Sequence, residues 1–127
     1  MLTLTRLNTP GNGPVDFVLS ARPVEWGFLL AAYGELDVAA LPRLRDELER
    51  ALASGVTRIV LDFSEVSFID SLSLAAVVAA KRRLGSNGRL AVVVRQPYVM
   101  LIFEACGLDS VVALFETRDE AVAHVRG

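Results

Sequence analysis

The spacing of apolar residues along this chain alternates between that of strands and that of helices. Residues 59–61 form a continuous apolar run, which is typical of a strand covered on both faces. Residues 62–67 are predicted to turn the chain, and after Ile69 the apolar spacing becomes helical up to Leu84. Asp70 and Ser71 therefore lie where a helix begins, and either side chain can cap its free N–H groups.

The same patterns predict an α/β domain made of one mixed sheet and about four helices. Because strands and helices alternate in the order β-β-α-β-α-β-α-β-α, we expect a mostly parallel sheet with an antiparallel hairpin at its N-terminal edge. Residues 1–14 are rich in Pro, Gly and Asn and are predicted to be a flexible tail, which leaves 15–127 as a single domain. The other predicted strands are 17–21, 28–33, 90–94 and 111–115. Two further helices begin at Pro42 and Pro97, and the last is capped by Thr117, which forms a capping box with Glu120.

The position of four residues in these elements predicts the environment of their side chains. Glu47 is predicted to face water beside the leucine stripe of its helix. Cys106, just before a helix-ending glycine, is expected to pack in the core, and His124 is expected to face solvent. Asp62 is expected to bond the local backbone at the end of its strand.

Composition narrows the classes of partner. The chain has 127 residues, of which 53% are hydrophobic, and a net charge of -2, so we expect no direct binding to nucleic acid. A single cysteine and the absence of a signal peptide predict a cytoplasmic protein. The longest apolar runs fall far short of the roughly 20 residues that cross a bilayer, so no membrane insertion is expected.

Enzyme chemistry is not favoured by the pattern of reactive side chains. The one histidine is close to the chain end, and nothing in the spacing brings it to Ser71 as a base. Neither a Cys/His cluster for zinc nor a Gly-rich phosphate loop occurs, so no catalytic residue, metal or cofactor is predicted. A phosphoaspartate receiver is also excluded, because the acids after the first strand and the lysine after the last are missing.

The segment around Ser71 resembles the signature of the STAS domain, the fold of bacterial anti-sigma factor antagonists. Two positions depart from that signature, since Leu72 stands where the family has Ser or Thr and Ser73 where it has Gly. The matching residues of this segment are Asp62, Phe63, Ser64, Val66, Phe68, Ile69, Asp70, Ser71 and Leu74. The resemblance extends to residues 34–37, Pro42, Leu44, Gly107 and Leu108.

This resemblance implies a phosphorylation switch. Ser71 would be the phosphoacceptor for an anti-sigma factor with serine/threonine kinase activity and a histidine-kinase-like ATPase fold, and a phosphatase would reset it. The unmodified form would bind that kinase and so free a sigma factor. Ser73 is the alternative phosphoacceptor. The implied partner-binding surface is Asp37, Asp70, Ser71, Leu72, Ser73 and Leu74, with the face around Ser73 and Leu74 exposed.

Other interpretations stay open at this point. Ser71 can be only a helix cap, and Asp37 can be only a cap for the turn before Pro42. STAS domains also serve as constitutive scaffolds and as subunits of lipid-transport assemblies, which would bind without switching. A small-molecule or nucleotide-binding domain is the remaining alternative.

Overall fold

The computed structural model describes residues 3–9 and 13–127, and its side chains are described from Phe17 onward. Six strands form one sheet in the order β1-β2-β3-β4-β5-β6, and the sheet is packed with four α-helices. The strands are β1 (Thr3–Thr9), β2 (Gly13–Val24), β3 (Gly27–Leu36), β4 (Arg58–Ile69), β5 (Arg89–Val93) and β6 (Ala113–Phe115). The helices are α1 (Leu41–Ala53), α2 (Ser71–Leu84), α3 (Pro97–Ala105) and α4 (Arg118–Arg126), with a short 3-10 helix at Leu108–Ser110.

The sheet is mixed, as predicted from the order of elements. β1 pairs antiparallel with β2 and β2 with β3, whereas the pairs from β3 to β6 are all parallel. The tight turn between β2 and β3 ends at Gly27, where an added Cβ would lie 2.1 Å from the carbonyl oxygen of Arg58. Only glycine allows the β2–β3 hairpin to approach the start of β4 so closely.

The helices divide unequally between the two faces of the sheet. The larger apolar cluster contains Leu44, Leu74 and Val99, so α1, α2 and α3 cover what we term the three-helix face. The smaller cluster contains Ala121 and Val125, so α4 alone packs on the opposite side, the α4 face. Because successive strand residues point to opposite faces, each strand contributes to both clusters only where both faces are covered.

Three boundaries differ from the sequence predictions. The tail predicted over 1–14 contains strand β1, and β2 begins at Gly13; residues 1, 2 and 10–12 lie outside the described residues. Residues 62–67 do not turn the chain, because parallel pairing with β3 carries β4 on to Ile69. β6 is shorter than predicted, since the 3-10 helix at Leu108–Ser110 precedes it.

Two side chains lie opposite to their predicted environments. Glu47 is fully buried, because it follows Leu44 by three residues and so shares its inward stripe. Arg50 Nη1 donates to Glu47 Oε1 at 2.8 Å and Arg43 Nη2 lies 3.7 Å from Oε2, so two guanidinium groups compensate the buried carboxylate. Cys106 is exposed rather than in the core, and it is the C-cap residue directly after the end of α3 at Ala105.

Two predictions about α4 are confirmed. His124 is exposed, and its ring lies against Phe115 with centroids 5.2 Å apart. Thr117 caps the helix, because its hydroxyl oxygen accepts a hydrogen bond from Glu120 N at 3.2 Å.

Candidate functional site

Ser71 is the first residue of α2 and is exposed. Asp70 is the N-cap, and its Oδ1 accepts a hydrogen bond from Ser73 N at 2.8 Å. Because the carboxylate of Asp70 caps the helix, the helix start does not depend on the hydroxyl of Ser71. Among the described residues, the Ser71 side chain makes no hydrogen bond. The hydroxyl is therefore open to solvent at the positive end of the helix dipole.

Ser73 and Leu74, which the sequence analysis placed on an exposed face, are both buried. Ser73 is 0% exposed and Leu74 is 3% exposed. The hydroxyl of Ser73 donates to the carbonyl oxygen of Leu36 at 3.3 Å, and Asp70 N donates to the same oxygen at 3.0 Å. The third helical residue points back at the sheet, and its polar group is satisfied by the end of β3. The prediction of an exposed face here was wrong.

Asp37 lies beside this helix start because β3 and β4 end together. Leu36 pairs with Ile69 in the parallel ladder, so Asp37 and Asp70 each follow the end of one of two neighbouring strands. Asp37 Oδ1 accepts hydrogen bonds from Ala39 N at 3.0 Å and Ala40 N at 3.4 Å. Asp37 therefore holds the turn before α1, as the capping interpretation proposed, and its side chain stays half-buried at the surface.

The carboxyl edge of the sheet, where Ser71 begins α2, also carries exposed apolar side chains that we term the apolar rim. Leu72 is 48% exposed, and Val38, in the turn before α1, is 69% exposed. Tyr98 opens α3 at the same edge, is 51% exposed and stacks on Phe68 with ring centroids 6.4 Å apart. Leu101, one turn further along α3, is 58% exposed. Large exposed apolar side chains near one another are typical of protein-binding surfaces.

The sequence analysis had found only Leu72 of this rim. It made no prediction for Val38, Tyr98 or Leu101. The available signal was that the carboxyl ends of parallel strands meet at one edge, which places the residues after β3, β4 and β5 together.

Ser71 also opens onto a shallow groove along α2. Its volume is about 330 Å³. The groove runs from the helix start to Arg82 and is bounded on its other side by the chain after α3. The lining residues are Ser71, Leu74, Ala75, Val78, Ala79, Arg82, Cys106 and Leu108. The groove is a mostly apolar surface along α2, and the guanidinium of Arg82 lies at its far end.

Asp62 lies away from this edge, on the α4 face. Burial raises the pKa of its carboxyl, but hydrogen bonds from Ser64 and the ion pair with Arg118 outweigh that effect, and the net result is a pKa below the ordinary value. Ser64 N donates to Oδ1 at 3.0 Å and Arg118 Nε donates to Oδ2 at 2.7 Å. The prediction that Asp62 bonds local backbone is confirmed, and the ion pair with Arg118 adds a link between β4 and α4.

Within residues 3–9 and 13–127, no three His, Cys, Asp or Glu side chains are grouped so that they could hold a metal ion. No α-helix in those same ranges is both long and apolar enough to cross a bilayer.

The fold and the site together define a class of protein. A mixed α/β sheet whose carboxyl edge carries an exposed serine, two acids and an apolar rim is a domain suited to binding protein partners through one edge. The chain belongs to the STAS domain family, whose family model matches residues 23–121.

Several proteins named as anti-sigma factor antagonists are similar to most of this chain. The anti-sigma-F factor antagonist RsfB of Mycobacterium tuberculosis is 29% identical over 99 residues, which cover 78% of this chain and 81% of RsfB. The crystal structure of an anti-sigma factor antagonist from Mycobacterium paratuberculosis matches with a TM-score of 0.82 and 26% identity over 95% of this chain and all of that chain. Bacillus SpoIIAA in its phosphorylated form matches with a TM-score of 0.65 and 28% identity over 86% of this chain and 98% of that one.

Proposed function

We propose that this protein is an anti-sigma factor antagonist that binds its anti-sigma factor through the carboxyl edge of the sheet. The observation that carries the proposal is the exposed hydroxyl of Ser71 at the start of α2, between two acids and an apolar rim. The names of the relatives, which are anti-sigma factor antagonists, support the same role. The proposal implies a cytoplasmic location, because sigma factors act there on RNA polymerase.

The proposed control is phosphorylation of Ser71 by the anti-sigma factor itself, acting as a serine/threonine kinase with a histidine-kinase-like ATPase fold. A phosphoryl group adds about -1.5 to -2 charges beside Asp70. The free N–H groups and the dipole of α2 tolerate that charge, so the domain stays folded. A docked partner must instead desolvate a dianion, and about 5.5 kcal/mol of differential affinity moves a population from 99:1 to 1:99. A phosphatase that acts on phospho-Ser71 returns the protein to its binding form.

The alternative acceptor Ser73 is disfavoured by its environment. Its hydroxyl is fully buried and bonded to Leu36 O, so a kinase must first pull the helix start away from β3. We therefore assign the modification to Ser71, which requires no such opening.

Intact-mass measurement after incubation with ATP and the purified partner kinase tests this assignment. We expect the wild type to gain one phosphoryl group, Ser73→Ala to gain one as well, and Ser71→Ala to gain none. Ser73→Ala is the matched control, because it removes a hydroxyl from the same helical turn. A mass gain that persists in Ser71→Ala would remove Ser71 from the role.

The second candidate is a subunit that binds constitutively in a larger assembly, such as a lipid-transport complex. The exposed apolar rim favours it, because Leu72, Tyr98 and their neighbours offer a surface that needs no switch. Calorimetry of partner binding separates the two functions. The switch predicts that Ser71→Glu weakens binding by tenfold or more, while a constitutive subunit predicts the same affinity for both proteins.

A further inference from the structure

On the α4 face of the sheet, Ser20 and Arg22 of β2 are at least partly exposed, whereas Leu29 and Ala31 of β3 are buried. Phe17, Leu19 and Ala21 of β2 belong to the core of the three-helix face, so Ser20 and Arg22 point to the opposite side. On that side α4 packs on β4, β5 and β6, and its cover does not extend over β2. Polar side chains of β2 thus lie on the same face as the first turn of α4.

These side chains line a small cleft of about 190 Å³. At roughly 30 Å³ for each water, the cleft has room for about six waters. That is below the roughly 300–1,000 Å³ of pockets for drug-sized ligands, so the ligand must be compact. The lining residues are Ser20, Arg22, Leu29, Ala31, Tyr33 and Arg118.

Arg118 is held in place from behind by Asp62. Its Nε donates to Asp62 Oδ2 at 2.7 Å, and Asp62, which is 6% exposed, is itself fixed by Ser64 N. No described residue accepts a hydrogen bond from the two Nη groups of Arg118, and its side chain is 42% exposed. A guanidinium that is anchored through Nε loses little entropy when its Nη groups bind a ligand.

The other polar groups of the cleft are donors as well. No acid in the described part of the chain forms an ion pair with Arg22, and the hydroxyls of Ser20 and Tyr33 complete the polar lining. Leu29 and Ala31 are 7% and 6% exposed and form an apolar floor. Guanidinium groups pair with oxyanions through parallel N–H bonds, and hydroxyls add single donors.

We infer that this cleft binds a phosphate group, either free or as a small monoester. Two guanidiniums and two hydroxyls supply more donors than the two oxygens of a carboxylate can accept, whereas a phosphate offers three or four oxygens. The apolar floor accommodates the carbon side of an ester. The cleft lies on the face of the sheet opposite α2, so its ligand does not compete with a partner docked at Ser71.

Titration of the full-length protein, followed by amide and arginine-Nε NMR shifts, tests the inference. We expect inorganic phosphate at constant ionic strength to give saturable shifts at Ser20, Ala31, Tyr33 and Arg118 Nε, with a Kd on the order of 1 mM or below. Phenyl phosphate distinguishes the two sources: tighter binding than inorganic phosphate indicates an ester, and weaker binding indicates the free ion. Acetate binding as well as phosphate would overturn the assignment of the ligand class.

Two substitutions with the same charge change sharpen the test. Arg22→Gln is expected to weaken phosphate binding by about tenfold or more, because it removes one guanidinium from the cleft. Arg45→Gln removes an exposed arginine from α1, on the other face, and is expected to change the affinity by less than about twofold. Equal losses in the two variants, or shifts that never saturate, would mean that the cleft is not a site. Arg22 is exposed, so neither result depends on a variant that fails to fold.

Discussion

The two faces of the sheet are built differently, and the difference appears most clearly in β2 and β5. In β2 the residues 17, 19 and 21 are buried under the helices, while Ser20 and Arg22 face the open side. In β5 the run from Leu90 to Val93 is buried on both sides, because α4 covers the second face there. Helices therefore pack on both faces of the sheet at β5, but on only one face at β2.

This difference decides where polar side chains reach solvent. The three-helix face places its polar groups at the carboxyl edge, where strands end and Ser71 begins a helix. The α4 face places them on the sheet itself, where Asp62 and Arg118 mark the border between covered and open strands. Each set of polar residues lies where a layer of helices stops, because there side chains can meet water and partners.

The largest expected effect concerns the main core. Phe63→Ala, on the three-helix face, should destabilise the protein by about 3–5 kcal/mol, because it leaves a large cavity. Val125→Ala, also fully buried but on the α4 face, should cost about 2 kcal/mol. Urea unfolding followed by circular dichroism measures both. If Val125→Ala cost as much as Phe63→Ala, the smaller cluster on the α4 face would be as sensitive to a cavity as the main core.

The next effect concerns the ion pair at the border of the α4 face. Arg118→Ala should cost about 1–2 kcal/mol at pH 7, less than a buried pair would, because Arg118 is part-exposed. The folded-state pKa of Asp62 lies below the ordinary pKa of an aspartate, so the stabilisation from its ionised carboxylate is present above the unfolded-state pKa and is lost as pH falls through the lower folded-state pKa.

The difference in unfolding free energy between wild type and Arg118→Ala should therefore narrow as pH falls below about 4. Arg126→Ala is the control, because its pair with Glu25 is exposed and should contribute less than about 1 kcal/mol. A gap between wild type and Arg118→Ala that stays constant down to acid pH would show that Asp62 does not depend on Arg118 for its ionisation.

The smallest expected effect compares two serines in one helical turn. Both Ser71→Ala and Ser73→Ala gain the same helix propensity, so the difference between them isolates the bond from Ser73 Oγ to Leu36 O. We expect Ser73→Ala to be less stable than Ser71→Ala by about 1 kcal/mol, measured by thermal and urea unfolding. Identical stabilities would indicate that this bond contributes nothing and that the start of α2 is held by Asp70 alone.

Much of the fold could be predicted from local patterns. The helical spacing after residue 70 gave α2 and its cap, and the order of elements gave the mixed sheet and the hairpin of β2 and β3. The predicted boundaries were wrong where pairing between distant segments decides them. β4 is an example, since it continues through residues 62–67 because it pairs with β3. Of the predicted binding residues, Asp37, Asp70, Ser71 and Leu72 lie at the surface, whereas Ser73 and Leu74 are buried.

The sequence by itself determined the period of each segment, the helix start at residues 70 and 71, and the cap Thr117, because these depend on neighbours within a few residues. Only the tertiary structure decided that Ser71 faces solvent while Ser73 faces Leu36, that Glu47 is buried, and that Arg22 and Arg118 share a cleft. Those facts depend on contacts between residues far apart in the chain, and the register and packing that create such contacts are set by the whole fold.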